Sequence, residues 1–169
     1  SIIILGGSNK ASMGAATARM LMQHGANVIV AARRKAELDE VAAETGATAV
    51  AADITDTASL NALAAHAVER FGRLDGAVNF AGVNSSAPIL EMDEQLLIDA
   101  ARVHFVGTAM FIKSMANAMS DGGSIVTASS LTALLAPPGL AAYSASKKAA
   151  DQVVRPGGIP GAVGVLGRA

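Results

Sequence analysis

The chain has 169 residues, enough for one domain with a buried core. Hydrophobic residues make up 51% and charged residues 16%, which excludes a disordered chain, and the formal net charge of −1 argues against a general binder of nucleic acid or acidic membrane. Cysteine is absent, so disulfide frameworks and thiolate chemistry are excluded. Aromatic residues are only 3%, which leaves Ala, Val, Ile, Leu and Met to build the core. No charged leader with a cleavage site is seen, and no apolar run reads as long enough to span a bilayer, so a cytoplasmic protein without a membrane partner is expected.

Ser1 to Leu5 carries three consecutive isoleucines and a leucine, the pattern of a strand buried on both faces. Gly6 and Gly7 follow at once, then Ser8-Asn9-Lys10-Ala11-Ser12-Met13-Gly14. Ala15 to His24 reads as a helix closed by Gly25. A glycine-rich turn between strand and helix lets backbone approach a pyrophosphate, with the helix N-terminal N–H groups facing it. A plain βα turn has the same outline.

Asn27 to Ala32 is a second strand, with Arg33, Arg34 and Lys35 directly after it. In a dinucleotide fold this strand end meets the adenosine ribose. An acidic residue there binds the 2′-hydroxyl, whereas arginine accommodates a 2′-phosphate. No Asp or Glu holds that place, and Lys10 adds a further cation. A basic helix start opposes the helix dipole, which a bound phosphate would explain. A solvated basic helix start is the alternative, most simply for Lys35.

Lys35 to Thr45 is a helix closed by Gly46, and Thr48 to Ala52 a third strand followed by Asp53-Ile54-Thr55-Asp56. Thr57 to Phe71 is helical and stops at Gly72. Gly76 to Phe80 is a fourth strand, ending in Asn79-Phe80-Ala81-Gly82. The alternation of strand and helix with short connections predicts an α/β fold with a doubly wound parallel sheet and helices on both faces. Asp93 to Met119 is a long helical stretch, and Ser124 to Ala128 a fifth strand with Ser129 and Ser130 at its carboxyl end, where such sheets place ligands. Leu131 to Leu140 is an apolar loop that either walls a pocket or simply packs. Ala141 to Ala150 is a helix. His24, His66 and His104 have no metal-ligand spacing.

The last helix carries Tyr143-Ser144-Ala145-Ser146-Lys147. Tyr143 is the one tyrosine of the chain, and Lys147 stands four residues on, on the same helical face. A cation beside a phenol favours the phenolate, so such a tyrosine can exchange a proton near neutral pH. Ser130 lies upstream, placed to hold the same substrate oxygen.

In this order, the glycine-rich loop, Asp53, Asn79-x-Ala81-Gly82, Ser130 and Tyr143-x-x-x-Lys147 together resemble the short-chain dehydrogenase/reductase family. The resemblance implies a single Rossmann-type domain over residues 1–169 with strand order 3-2-1-4-5-6. It implies that Tyr143 donates or accepts the proton, that Ser130 orients the carbonyl, and that Lys147 assists Tyr143 and holds the nicotinamide ribose. Gly6, Ser8, Asn9, Lys10, Ser12, Met13, Arg33 and Arg34 would bind the cofactor's phosphates and adenosine. Asp53 and Ile54 would face the adenine, and Asn79, Ala81 and Gly82 its middle. The implied cofactor is NADP(H) rather than NAD(H), the substrate a small-molecule carbonyl or alcohol, and the assembly a homodimer or homotetramer.

Three departures from the family pattern stand out. Gly6, Ser12 and Ala18 are spaced as in enoyl-thioester reductases, while the Tyr143–Lys147 spacing resembles ketone reductases. His104 takes the place of an asparagine that helps hold a water in the proton relay, either as a relay member or as a packed helical histidine. Finally, Val153 to Ile159 resembles the sixth strand and its Pro-Gly turn, with Pro156, Gly157 and Ile159 at the nicotinamide. Only five residues separate Lys147 from Val153, too few for a helical crossover of about 10–12 residues, so a missing segment near 151–153 and another after 159 are expected. The leading expectation is an NADPH-dependent ketone or secondary-alcohol oxidoreductase. The alternatives are an enoyl reductase-like enzyme and a dinucleotide-binding sensor or scaffold without turnover.

Overall fold

The computed structural model describes residues 1–154 and, for the backbone, the strand 164–167. Six parallel strands form one sheet in the order β3-β2-β1-β4-β5-β6. They are β1 (Ile2–Leu5), β2 (Val28–Ala32), β3 (Thr48–Ala51), β4 (Gly76–Asn79), β5 (Ser124–Ala128) and β6 (Gly164–Gly167). The helices are α1 (Met13–Gln23), α2 (Lys35–Thr45), α3 (Thr57–Phe71), α4 (Glu94–Ala100), α5 (Gly107–Ala118), α6 (Thr132–Leu135) and α7 (Ala141–Val154).

Strand β1 lies at the centre because both of its faces are apolar. Side chains alternate across a strand, so Ile3 and Leu5 enter one layer with Leu60, Leu63, Phe111 and Met115, while Ile4 enters the other with Ala18, Val30 and Leu38. Each fully buried Ile or Leu contributes about 1.5–3 kcal/mol relative to exposure. One core thus lies beneath α3 and α5 and the other beneath α1 and α2. The carboxyl ends of β1 to β5 are left to form a common rim.

Three sequence expectations are corrected. Val153 and Val154 do not begin the sixth strand; they close α7, which runs unbroken through Asp151, Gln152 and Val153. The sixth strand is Gly164–Gly167. Pro156, Gly157 and Ile159 lie outside the described residues. The long helix is not uniform either. A π-helical segment, Ala101–Val106, separates α4 from α5 and buries the consecutive residues Val103 and His104. Finally, Glu94–Ala118 makes 25 residues of continuous helix, by length and composition apolar enough to cross a bilayer, which the sequence reading did not anticipate. In this fold its α5 portion packs on α3 and its π-helical segment on α7.

Candidate active site

The turn after β1 sets the site. Gly6 has φ of +100°, and a Cβ there would stand 2.6 Å from both Ala81 N and Phe80 C. Only glycine lets the turn lie against the end of β4. A Cβ on Gly14 would meet Gly6 O at 2.8 Å, so α1 begins pressed on the same turn. Ser12 caps α1, its hydroxyl accepting from Ala15 N–H at 3.1 Å. The bare backbone and the exposed helix N-terminus form a cradle that suits a pyrophosphate.

This turn and the ends of β2, β3 and β4 enclose a cleft of about 310 Å³. Gly6, Ser8, Asn9, Ser12, Arg33, Arg34, Asp53, Ile54, Ala81 and Gly82 all line it. Asp53 accepts from Thr55 N–H at 2.9 Å and from the Thr55 hydroxyl at 2.8 Å. Burial pulls its pKa up, but the Thr55 bonds and the charges of Arg33 and Arg102 outweigh this and hold the carboxyl below its ordinary value. Asn79 is buried, donates to Thr108 Oγ1 at 3.2 Å and accepts from Ala81 N–H at 2.9 Å, which fixes the β4 end.

Two residues expected at the cofactor do not line this first cleft. Lys10 lies outside this cleft, in a neighbouring hollow with Arg34, Glu37 and Glu40, and pairs with Glu40 at 3.0 Å. Met13 lines a separate cleft, that of Tyr143 and Lys147. Arg34 is partly engaged, donating to Ser8 Oγ at 3.2 Å and pairing with Glu37 at 3.3 Å.

The second cleft, about 370 Å³, is lined by Met13, Phe80, Gly82, Val83, Asn84, Ala128, Ser129, Tyr143 and Lys147. Phe80, Gly82 and Val83 line both clefts, so the two share a wall at the end of β4. Tyr143 and Lys147 come together as their helical spacing requires, with Lys147 Nζ 5.9 Å from the phenol ring centre. Nζ donates to Ala128 O at 2.9 Å, and burial lowers the lysine pKa, opposed by the Asp151 charge.

Ser130 stands just past β5, and its hydroxyl is engaged within its own turn. Its hydroxyl pairs with Thr132 Oγ1 at 2.9 Å and accepts from Thr132 N–H at 3.3 Å, at the start of α6. Ser129 occupies the cleft wall instead.

Of the two readings of His104, the structure shows the packed one. It is 1% exposed, and both ring nitrogens are taken by protein. Nε2 accepts from Val83 N–H at 3.1 Å, and Nδ1 lies 2.9 Å from Ser146 Oγ. Neither nitrogen is left for a relay water. Burial, and then the Lys147 charge, push its pKa down to about 4. Its ring meets Tyr143 edge-on, centroids 5.1 Å apart at 88°.

Sequence reasoning missed Thr55, Ser146 and Val83. Thr55 carried a signal, since Asp53-x-Thr55 is an Asx-turn pattern. Ser146 sits inside the Tyr143–Lys147 motif, three residues after Tyr143, where a serine can bond back to the i−3 carbonyl. Val83 contributes only backbone and left no trace.

A family model described as Enoyl-(Acyl carrier protein) reductase matches residues 6–158. Short-chain dehydrogenase reductase ATA1 of Arabidopsis thaliana is 38% identical over 157 residues, covering 90% of this chain and 57% of that protein. Trans-4-hydroxycyclohexanecarboxylate dehydrogenase of Sinomonas cyclohexanicum is 35% identical over 147 residues, covering 80% of this chain and 57% of that protein. The chain therefore spans little more than half the length of these relatives. A crystal structure of a short chain dehydrogenase from Mycobacterium smegmatis superposes with a TM-score of 0.91 at 22% identity, over 100% of this chain and 75% of that one, a likeness of fold. The family match over most of the chain, set beside the glycine cradle and the Tyr143–Lys147 pair, makes this chain a member of the short-chain dehydrogenase/reductase family of oxidoreductases.

Proposed function

We propose that this chain carries the nucleotide-binding and catalytic residues of an oxidoreductase that uses NADP(H) in preference to NAD(H) and acts on a ketone or secondary alcohol. The observation that carries the reading is the shared β4 end. Phe80, Gly82 and Val83 join the cleft of Gly6, Arg33 and Asp53 to the cleft of Tyr143 and Lys147. A dinucleotide lying along this wall would bring its two ends to these two groups of residues.

The cradle at Gly6 and Gly14 fits the pyrophosphate, since any Cβ there would fill it. Ser8, Asn9 and the first turn of α1 would hold the phosphates. Arg33 and Arg34 would meet a 2′-phosphate, with no acidic side chain at the end of β2 to oppose it. Asp53 and Ile54 would flank the adenine. Asn79, Ala81 and Gly82 would support the middle, and Lys147 the nicotinamide ribose. When bound, the nicotinamide supplies or accepts the hydride. Tyr143 would give its hydroxyl proton to the carbonyl oxygen, or take the alcohol proton in reverse. The Lys147 ammonium would stabilise negative charge developing in the cleft. Ser130 would turn from Thr132 to the substrate oxygen, giving up a neutral hydrogen bond worth about 1 kcal/mol net. Exposed Leu131, Leu134 and Leu135 suit an apolar substrate, and exposed Leu97, Ile98, Phe105 and Val106 suit a homodimer or homotetramer.

NADPH oxidation across a panel of ketones, with Tyr143→Phe beside the parent protein, tests the reading. Turnover by the parent and a loss of about 10²-fold or more in the variant is the expected result. NADPH binding without oxidation on any ketone would instead mark a sensor. A second reading, reduction of an enoyl thioester, is favoured by the family model's description and by the Gly6, Ser12 and Ala18 spacing. Product analysis decides it: saturation of a C=C bond against formation of an alcohol.

A further inference from the structure

We infer that His104 is a positioning residue, a neutral clamp that locks the Gly82–Val83 wall to the Tyr143 helix, and takes no part in carrying the proton. The inference rests on the proposed oxidoreductase function for its kinetic consequence, and on geometry alone for the clamp.

Three parts of the fold meet at this ring. His104 belongs to the π-helical segment 101–106, Val83 follows β4, and Ser146 lies on α7. Val83 N–H can only donate, so Nε2 must accept and be unprotonated. A neutral ring then carries its proton on Nδ1 and donates it to Ser146 Oγ. Ser146 Oγ in turn donates a hydrogen bond to the backbone carbonyl oxygen of Tyr143 at 2.8 Å. Every donor in the chain from Val83 through His104 and Ser146 to the Tyr143 backbone therefore has one defined direction. A ring proton could be released only by breaking two of these bonds.

The ring is also confined sterically. A Cβ on Gly82 would stand 3.1 Å from Nε2, so the glycine admits the imidazole against the wall. The edge-on contact with Tyr143 sets the angle of the phenol directly. One side chain thus fixes the wall shared by both clefts and the group proposed to exchange the proton. Burial keeps the imidazole neutral, and Lys147, the charged group that faces the ring from α7, adds its repulsion.

The test reads tautomer and kinetics separately. In ¹⁵N-histidine NMR of the parent protein, assigned by loss of the signal in His104→Phe, His104 shows a protonated Nδ1 and a bare Nε2, unchanged from about pH 8 to about pH 5. An Nε2–H tautomer, or a ring titrating near its ordinary value, would overturn the clamp. In turnover, His104→Phe lowers kcat about 10²-fold, the scale of a small misplacement, with little change in KM for the ketone. The shape of the kcat pH profile is retained, and His104→Gln, which restores an acceptor near Nε2, recovers most of the loss. A lost or shifted limb of that profile in His104→Phe would make the ring a proton carrier and end the inference. Absence of any turnover would count against the proposed function, while the NMR result would still decide the clamp.

Discussion

Lys147 Nζ donates to the carbonyl oxygen of Ala128 at 2.9 Å, tying α7 to the carboxyl end of β5. Residue 128 is followed by Ser129, which shares the cleft wall with Tyr143. The bond therefore holds the helix that presents the phenol at a set distance from the sheet edge. It also keeps a charged group in a site where only 8% of the residue is exposed.

Lys147→Met is expected to keep the fold and lose the activity. The methionine fills the space of the stem, and relief from burying an ammonium offsets an orphaned carbonyl costing about 1–3 kcal/mol. Urea unfolding should move little, while kcat for ketone reduction falls about 10²-fold or more. Lys147→Arg should not rescue it, because a planar fork cannot replace a point donor in so closed a site. Full activity in Lys147→Met would remove the lysine from the chemistry.

Gly6→Ala and Gly25→Ala separate backbone strain from backbone collision. Gly25 has φ of +79° with nothing within 4 Å of an added Cβ, so alanine costs only the left-handed conformation, about 1–2 kcal/mol. Gly6 adds to that a collision at 2.6 Å with the peptide joining Phe80 and Ala81, which cannot swing aside. Gly6→Ala should lose clearly more stability and abolish dinucleotide binding. Urea midpoints at unchanged m-values compare the two. Equal losses would mean that the β4 end yields to the new side chain.

Much of this arrangement was legible because its signals are local. The three isoleucines of β1 marked a strand buried on both faces, and a four-residue helical spacing placed Lys147 beside Tyr143. What escaped is non-local or tertiary. Val153 and Val154 look like strand residues, yet Ala142, Ser146 and Ala150 give α7 a buried face, and packing overrode β-propensity at its end. The π-helical turn has no sequence mark, and it decides that His104 points inward. Val83 and Ser146 lie 21 and 42 residues from His104, so no spacing rule could find either bond. Ser130 was placed at the carboxyl end of β5, but no strand pattern announces that Thr132, two residues away, engages its hydroxyl.

Cofactor preference should reside in Arg33 and Arg34. Among the described residues Arg33 forms no salt bridge, whereas Arg34 is shared with Glu37. A hydrogen bond to a charged phosphate is worth about 1.5–3 kcal/mol, so removing Arg33 should weaken NADPH binding about 10- to 100-fold. Arg34→Ala should cost less, because Glu37 already offsets its charge. NADH affinity should stay within about threefold in both variants, since its ribose lacks the phosphate. Fluorescence titration with each nucleotide measures this. An equal loss for NADH and NADPH would assign the arginines to the adenosine as a whole.

His104 should also leave a mark on acid stability. Its folded pKa, about 4, lies below that of an unfolded histidine, about 6.5. Between these values the unfolded chain binds a proton that the native ring refuses. Stability therefore falls as pH drops from about 6.5 toward about 4, and the contribution is level above that window. The span corresponds to about 3 kcal/mol for this one group. His104→Gln has no such titration. Asp53 and Asp75, whose carboxyls are held low in the fold, weaken both proteins on further acidification and cancel in the comparison. The unfolding free energy of the parent minus that of His104→Gln should thus shrink by a few kcal/mol between about pH 7 and about pH 4.5, measured in urea. A difference that stays constant across that interval would mean the imidazole is protonated in place, and Val83 N–H would then have no acceptor on it.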